Sequence, residues 1–322
     1  MNILFMGTPE CAVPSLASLY DSPHKLVGVI TQPDKEKGRK RILTPSPVKV
    51  FALEHGLSCE TPLSIRKDLA FNQQVREVLK PDLVIVVAFG QILLRNFLEI
   101  PPLGCINLHF SLLPEYRGAS PVARALIDGK TQTGVSTQYM NEGVDEGDII
   151  FQEKVSVDIS DNRFTLETRL AAIGANLLLK TLAAIESGSV PRIPQDSAQA
   201  TYCPKITTDM GKINWSQSST SIHNLVRGLN PDPVAFTFFR NQRIRILETS
   251  PMMDASEMIN EKAVPGEYLS IYKGKPQGIK VQTGDGVLLI QSLQPDGKKP
   301  MNAMDFANGY RIQPGERFEQ GL

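Results

Sequence analysis

Short apolar segments rich in branched side chains alternate with helical segments over roughly the first 200 residues, and this alternation constrains the fold most. Segments of this kind are typical of strands that are buried on both faces. We therefore predict an α/β domain with a parallel sheet and right-handed crossovers. The predicted strands are 3–6, 26–31, 83–88 and 105–108, and the predicted helices are 13–20, 48–55 and 72–79.

The pattern changes near Lys205. A helix predicted at 219–229 precedes short strand-like segments, and the sequence TGDG at 283–286 is a hairpin signal. Short strands separated by turns favour a small β-barrel. A long helix predicted at 165–187 and a proline-rich segment separate the two patterns. The predicted organisation is a first domain at 1–189, a linker at 190–206 and a second domain at 207–322; the strands of the second are 235–239, 243–248, 266–271, 278–283 and 287–292.

Composition limits the classes of protein to which the chain can belong. The 34 basic and 34 acidic residues balance, so net charge does not indicate a nucleic-acid partner. No apolar segment approaches the roughly 20 residues of a membrane span, and we expect no membrane contact and a cytoplasmic, monomeric protein. The four cysteines are widely spaced, so we expect free thiols and no bound metal.

The segment INLHFSLLPEYRGASP, at 106–121, carries more polar chemistry than any other. Asn107 and His109 are separated by one residue in a predicted strand, so both side chains project from the same face. An amide and an imidazole on one face can donate hydrogen bonds to a small developing anion. A histidine near a strand end is more often a hydrogen-bonded core residue, and for this pair alone that alternative stays open.

Asp145 lies in the acidic segment NEGVDEGD, whose glycines indicate a loop. Such a loop can hold a carboxylate against His109, and the three side chains together suit acyl transfer. Asp145 then has two possible roles. It keeps the His109 ring protonated, or it accepts the proton that leaves an attacking ammonium. We expect surface or capping roles for the other histidines, which are His24, His55 and His223.

The block HxSLLPxYRGxxP, followed by GVDEGD, resembles the folate-dependent formyltransferases. Segments 3–14, 31–49 and 292–301 resemble the branch of that family that acts on initiator methionyl-tRNA, so the likeness covers essentially the whole chain. The resemblance implies a Rossmann-like parallel-sheet catalytic domain followed by an OB-like β-barrel that binds tRNA. It also implies that the formyl group of 10-formyltetrahydrofolate is transferred to the α-amino group of the methionyl-tRNA.

The resemblance implies the site residues as well, with Asn107, His109 and Asp145 catalytic. We expect folate to contact the SLLP segment and a strand exit where open α/β sheets bind ligands. For Phe89, in that exit, an ordinary core position is the alternative. The basic segment at 35–41 suits tRNA phosphates, although a solvated charge run is the usual explanation of such a segment. The expected folate residues are Ser111, Leu112, Leu113, Pro114, Phe89, Gln91 and Ile92, and the expected tRNA residues are Lys35, Lys37, Arg39, Lys40, Arg41, Arg243, Arg245 and Lys298.

Two alternative functions stay open. The first is a sugar-nucleotide or other amine formyltransferase that uses the same folate donor. The second is an RNA-binding OB module on a non-catalytic α/β scaffold. The presence of Asn107, His109 and Asp145 argues against the second alternative, and the basic segment at 35–41 together with the 294–301 block argues against the first.

Overall fold

The computed structural model describes residues 1–38, 41–252 and 263–319. The chain divides into two compact units. Residues 190–204, which fall in the predicted linker, belong to the first unit. The first unit consists of Met1–Pro121, Gln132–Ser156 and Glu167–Pro204, and the second of Val122–Thr131, Val157–Leu166 and Lys205–Leu322.

The first unit is built around a seven-stranded sheet with the order β10-β9-β7-β6-β1-β2-β5. The pairs from β7 to β5 are parallel, which confirms the predicted parallel sheet. The sequence did not predict the antiparallel strands β9 and β10 at one edge. The strands are β1 (Asn2–Gly7), β2 (Lys25–Ile30), β3 (Lys35–Lys37), β4 (Ile42–Thr44), β5 (Cys59–Glu60), β6 (Leu83–Val87), β7 (Cys105–His109), β8 (Arg117–Gly118), β9 (Gln132–Tyr139), β10 (Ile149–Ser156) and β11 (Tyr202–Cys203).

Helices follow the strands, and local signals account for where several of them begin. The Ser46 hydroxyl accepts a hydrogen bond from the Lys49 backbone, and Pro47 occupies the first turn of the second helix. The Asp68 carboxylate caps the third helix in the same way. A π-helical turn, Val75–Leu79, continues that helix. The helices are α1 (Val13–Tyr20), α2 (Pro47–Glu54), α3 (Leu69–Gln74), α4 (Arg95–Leu98), α5 (Pro121–Ile127) and α6 (Arg163–Glu186).

Helix α6 has an apolar composition because much of its surface is buried. Leu170, Leu178 and Leu182 are at most 1% exposed. The Thr181 hydroxyl lies 2.9 Å from the Thr137 hydroxyl of β9. Within the described residues, α6 is the one helix long and apolar enough to cross a membrane, a test that the core helix of a soluble protein also passes.

The second unit contains a curled antiparallel sheet with the order β14-β15-β16-β13-β12-β18. The ends of this sheet meet, because the Tyr268 backbone donates to Glu316 and the Phe318 backbone donates to Gly266. This geometry agrees with the predicted small barrel. The strands are β12 (Ala235–Phe239), β13 (Gln242–Pro251), β14 (Tyr268–Tyr272), β15 (Gly278–Gln282), β16 (Val287–Pro295), β17 (Met301–Asn302) and β18 (Phe318–Glu319), and the helices are α7 (Ser219–Leu229) and α8 (Ala303–Tyr310).

Aromatic side chains fill the core of the second unit. Phe239, Phe306 and Phe318 are at most 2% exposed and form a cluster with ring centroids 5.1–6.4 Å apart. The indole nitrogen of buried Trp215 donates to the Thr237 hydroxyl at 2.9 Å. Helix α7 is predicted correctly, whereas α8, which supplies Phe306, is not predicted from the sequence.

Candidate active site

Strand β7 presents Asn107 and His109 on one face, as its alternation predicts. The two side chains are buried, with 9% and 6% of their surface exposed. In the antiparallel pairing with β9, Asn107 lies opposite Gln138 and His109 lies opposite Ser136. This end of β7 therefore carries polar groups next to polar groups of β9, inside a strand that is otherwise apolar.

Asp145 is held beside β7 by hydrogen bonds at both carboxylate oxygens. Oδ1 accepts from Asn107 Nδ2 at 3.0 Å and from Gln138 Nε2 at 2.9 Å. Oδ2 accepts from the backbone N–H of Gly118 at 2.9 Å. Donors at both oxygens fix the orientation of the carboxylate.

Both ring nitrogens of His109 face oxygen atoms. Nε2 lies 2.9 Å from the carbonyl oxygen of Tyr116, which can only accept, so this nitrogen carries a proton. Nδ1 lies 3.6 Å from Oδ2 of Asp145. The ring therefore lies between the Tyr116 carbonyl on one side and the Asp145 carboxylate on the other. The structure thus brings the three predicted catalytic residues together.

Gly118 makes a close approach that a larger residue would prevent. Its φ is +120°, and a Cβ there would lie 2.6 Å from the carbonyl oxygen of Cys203 in β11. The backbone N–H of Gly118 itself donates to Asp145. The pairing of β8 with β11 therefore positions a backbone donor in the site.

Sequence analysis did not predict Gln138 and Gly118 as site residues. Gln138 is 1% exposed and lies near the end of an otherwise buried strand. The polar Gln138 side chain at a strand end was a signal in the sequence for a site residue. Its position opposite Asn107 follows only from the antiparallel pairing of β9 with β7.

Hydrogen bonds to the following residue Glu115 and to strands β9 and β10 hold the SLLP segment. The Ser111 hydroxyl donates to the Glu115 carbonyl at 2.6 Å. The Leu113 backbone N–H donates to the Ser136 hydroxyl at 3.1 Å, and the Leu113 carbonyl accepts from Gln152 at 2.9 Å. Leu113 is buried, whereas Leu112 and Pro114 are half-buried. Leu112 and Pro114 thus offer apolar surface on a segment of fixed shape.

The other expected folate segment has mixed exposure. The Phe89 side chain is 2% exposed and belongs to the core, which is the alternative kept open for it. The Gln91 side chain accepts from the Ile65 N–H at 2.9 Å and donates to the Pro62 carbonyl at 3.2 Å. Ile92 is 64% exposed. In this segment Ile92 is therefore the side chain that offers an accessible apolar surface.

The described part of the basic segment begins with a short strand that pairs with the strand after it. Strands β3 and β4 pair from Lys35 opposite Thr44, and the Arg41 N–H donates to the Gly38 carbonyl at the turn. Lys35 bonds the Gln32 side chain at 2.7 Å. The side chain of Arg41 is 82% exposed. Arg39, Lys40 and the side chain of Lys37 lie outside the described part of the chain.

In the second unit, the expected tRNA residues lie on and beside β13. Arg243 and Arg245 alternate with buried Ile244 and Ile246, so both arginines are on the outer face of the sheet. The Arg243 guanidinium lies 3.8 Å from the ring centroid of Phe236. Arg245 lies 3.7 Å from the Asp296 carboxylate. Gln294 lies opposite Arg245 in the neighbouring strand, and its side chain donates to the backbone carbonyl of Lys298, which is exposed.

A cavity lies in the second unit. It measures about 670 Å³ and is lined by residues that include His223, Arg227 and Thr249. His223 is 7% exposed and bonds the Thr249 hydroxyl and the Ile159 carbonyl, so its predicted surface or capping role is wrong. The cavity contains none of Asn107, His109 and Asp145.

Thiols and carboxylates do not form a metal site within residues 1–38, 41–252 and 263–319. The four cysteines, all in the described residues, are thiols and not disulfides, as predicted, and Cys11, Cys105 and Cys203 are buried. Burial raises the pKa of Cys105 to about 12, so its thiol stays protonated and unreactive at neutral pH.

Comparison with known families gives the class of the protein. A family model described as Formyl transferase matches residues 1–182, and a second, described as Formyl transferase, C-terminal domain, matches residues 205–311. The chain belongs to the formyl transferase family.

Curated relatives narrow this assignment. The methionyl-tRNA formyltransferase of Alkaliphilus oremlandii (strain OhILAs) is 44% identical over 98% of this chain and 98% of its own length. That of Moorella thermoacetica (strain ATCC 39073 / JCM 9320) is 43% identical over 98% of both chains. Within the family, the chain belongs with the methionyl-tRNA formyltransferases.

Solved structures share the fold. WlaRD, a sugar 3N-formyl transferase crystallised in the presence of dTDP and 5-N-formyl-THF, has a TM-score of 0.66 and 21% identity, over 93% of this chain and 99% of its own. The N-formyltransferase from Helicobacter canadensis, in complex with folinic acid and dTDP-3-aminofucose, has a TM-score of 0.66 and 19% identity, over 92% and 99%. These likenesses confirm the formyltransferase fold.

Proposed function

We propose that this enzyme transfers the formyl group of 10-formyltetrahydrofolate to the α-amino group of initiator methionyl-tRNA, giving N-formylmethionyl-tRNA. The observation that carries the proposal is the buried constellation of Asn107, His109 and Asp145, in a chain 41–44% identical to methionyl-tRNA formyltransferases. Its amide, imidazole and carboxylate are the groups that transfer of an acyl group between amines requires.

The reaction joins the methionyl nitrogen to the formyl carbon and breaks the bond from that carbon to N10 of the folate. The amine must lose a proton, N10 must gain one, and the carbonyl oxygen carries negative charge in between. Asn107 is suited to stabilise this charge because its amide has two N–H groups and one of them binds Asp145. We assign to His109 a second donation to this oxygen and the proton for N10; its Nε2–H must leave the Tyr116 carbonyl to reach either atom.

For Asp145, the geometry favours the role of holding His109. Its oxygens already accept from Asn107, Gln138 and Gly118, so its position and charge are set before substrate binds. A fixed carboxylate 3.6 Å from Nδ1 orients the ring. In this mechanism the proton of the attacking ammonium leaves through water, with Asp145 as the nearest anion.

The folate donor fits the apolar surfaces beside this constellation. Leu112 and Ile92 have accessible side chains. Hydrogen bonds of the Leu113 backbone hold the first segment, and hydrogen bonds of the Gln91 side chain hold the second. A flat pterin requires apolar walls and backbone groups at its edge. We assign these segments to the donor; the Phe89 side chain is in the core and its carbonyl oxygen accepts from Thr8 and Gln32, so Phe89 sets the shape of its segment.

The tRNA is assigned to the β3–β4 hairpin and to the outer face of β13. Arg41 is highly exposed at the hairpin, and Arg245 and Lys298 are accessible in the second unit. Cations of this kind neutralise phosphates without reading sequence. We further propose that residues 1–189 are the catalytic domain, that 207–322 bind tRNA, and that the enzyme acts as a cytoplasmic monomer.

The test compares acceptors with a single donor. The protein is incubated with 10-formyltetrahydrofolate labelled in the formyl group and with initiator methionyl-tRNA, free methionine or a nucleotide-linked amino sugar. We expect label in methionyl-tRNA alone, and loss of that label with His109→Ala. Faster transfer to the amino sugar would replace the proposal with the sugar-nucleotide alternative.

A further inference from the structure

The acidic loop that carries Asp145 has little packing of its own. Residues 141–144 are exposed, as is Glu146. Asp145 itself has φ of 55°, in the left-handed region that side chains other than glycine rarely adopt. Because this conformation is unfavourable and the loop is exposed, contacts from outside the loop must hold it.

Gln195 supplies such contacts from the segment that follows α6. Its Nε2 lies 2.8 Å from the carbonyl oxygen of Asp145 and 2.7 Å from that of Gly147. The same nitrogen lies 3.2 Å from Oε1 of Gln138, whose own amide nitrogen donates to the Asp145 carboxylate. Gln195 therefore binds the loop backbone on both sides of Glu146 and also the side chain that holds the carboxylate.

Arg117 fixes which way the Gln195 amide points. Arg117 Nε donates to Gln195 Oε1 at 3.0 Å, and a guanidinium can only donate. The carbonyl oxygens of Asp145 and Gly147 can only accept. The Gln195 oxygen must therefore face Arg117, and its NH₂ group must face the loop. Arg117 is 2% exposed, and its Nη1 lies 3.6 Å from the Glu146 carboxylate, in the same loop.

We propose that Gln195 is a positioning residue for formyl transfer, which sets the backbone of the acidic loop so that Asp145 faces Asn107 and His109. The inference rests on the proposed function. It requires an amide, because a carboxylate would place negative charge against the carbonyl oxygens of Asp145 and Gly147. Gln195→Glu preserves size and keeps an acceptor for Arg117, while it replaces the donor with a charged acceptor.

The kinetic test separates turnover from binding. With Gln195→Glu we expect kcat to fall about 10- to 100-fold, with the KM values for 10-formyltetrahydrofolate and methionyl-tRNA changed less than about twofold. Gln199→Glu is the matched control, because Gln199 is exposed and its side chain bonds only Asp196 in the same segment. The control should keep wild-type kcat. A wild-type kcat in Gln195→Glu would overturn the proposal.

A double-mutant cycle tests whether Gln195 acts through Asp145. In an Asp145→Asn background, Gln195→Glu should lower kcat by less than about twofold further, because both changes disable the same group. Losses that multiply would overturn the proposal and indicate general destabilisation. If Asp145→Asn alone kept full kcat, the proposed function of this site would fail instead.

Hydrogen exchange gives a readout that does not depend on activity. Gln195→Glu should speed the exchange of backbone amides at 141–148 and leave the amides of β6 and β1 at their wild-type rates. Gln199→Glu should change neither. Unchanged exchange at 141–148 in Gln195→Glu would overturn the inference even if turnover had fallen.

Discussion

At the scale of single residues, the site depends on donors that are in place before substrate arrives. Asn107 and His109 are buried on one face of β7, and Asp145 is bound at both oxygens. Preorganised donors stabilise a developing oxyanion without the cost of reorienting at the moment of reaction. The contribution of each donor should therefore appear in kcat more than in substrate affinity.

Removing either donor tests this argument. Asn107→Ala and His109→Ala should each lower kcat about 10²-fold or more, because each removes a hydrogen bond to the oxyanion. Folate binding, measured by equilibrium titration, should be largely kept. Turnover near the wild-type level in either variant would exclude that residue from the catalytic set.

Asp145→Asn is expected to be at least as damaging as those changes. The substituted amide can keep an acceptor toward Asn107 and Gln138, but its NH₂ group then faces the Gly118 N–H, which is also a donor. The variant also loses the charge beside His109. Steady-state kinetics and folate titration measure the outcome, and a loss confined to folate affinity would reassign Asp145 to cofactor positioning.

Several of these residues were predictable from sequence because their signal is local. Asn107 and His109 follow from strand alternation, and Asp145 follows from a glycine-rich acidic segment with a recognised family pattern. Gln138 and Gln195 were not predicted, since each reaches Asp145 only through the pairing of β9 and the path of the chain after α6. No local pattern encodes such contacts.

At the scale of elements too, local sequence signals predict structure, whereas elements that depend on tertiary packing are missed. Helices α1 and α7 begin and end where the sequence predicts, because apolar periodicity and flanking turn residues define them. Helix α8 was missed. It has only eight residues, and helices of that length depend on tertiary packing, here the burial of Phe306. Its Asn302 cap was the one local signal.

The β3–β4 hairpin gives a prediction about tRNA. Arg41→Ala should raise the KM for methionyl-tRNA and leave the KM for 10-formyltetrahydrofolate unchanged, since the side chain is exposed and its nearest acid, Glu36, is 3.9 Å away. Loss of a phosphate contact should also lower the salt slope of tRNA binding by roughly one unit or slightly less. Arg39→Ala, at a position outside the described residues, is expected to act in the same way.

The control for the hairpin is an arginine of similar exposure. Arg95→Ala, in α4, removes a side chain that is 73% exposed and paired with Glu99, and it should leave tRNA binding unchanged. If Arg41→Ala and Arg39→Ala bind tRNA as the wild type does at every salt concentration, the hairpin is a solvated surface only.

Two substitutions at and beside strand β13 should change the KM for methionyl-tRNA in opposite directions. Arg245→Gln should raise the KM for methionyl-tRNA, because it removes a cation from the outer face. Asp296→Asn should lower it, because the carboxylate 3.7 Å from Arg245 competes with phosphate for that cation. The measurement is formylation at varied tRNA concentration. Equal KM values in both variants and the wild type would remove this face from the tRNA assignment.

At the scale of the whole molecule, the buried His223 couples stability to pH. Burial, reinforced by Arg227, holds the pKa of His223 below its ordinary value of 6.5, and hydrogen bonds to Ile159 and Thr249 oppose this shift only in part. The unfolded chain therefore binds a proton at a higher pH than the folded chain does. Where the unfolded state binds more protons, the free energy of unfolding falls as the pH is lowered. Acidification below about pH 6.5 must therefore destabilise the fold.

Replacing His223 with a residue that does not titrate isolates this contribution. His223→Gln should show a smaller drop in Tm than the wild type between pH 7.5 and 5.5, because the other titrating groups are common to both proteins. At pH 7.5 and above, the ring is neutral in both states, so a Tm difference there reports only lost packing and lost bonds to Thr249 and Ile159. Calorimetry across this range gives both quantities from the same pair of proteins. Parallel Tm curves would show that His223 is protonated as readily in the folded chain as in the unfolded one, which its burial at 7% exposure argues against.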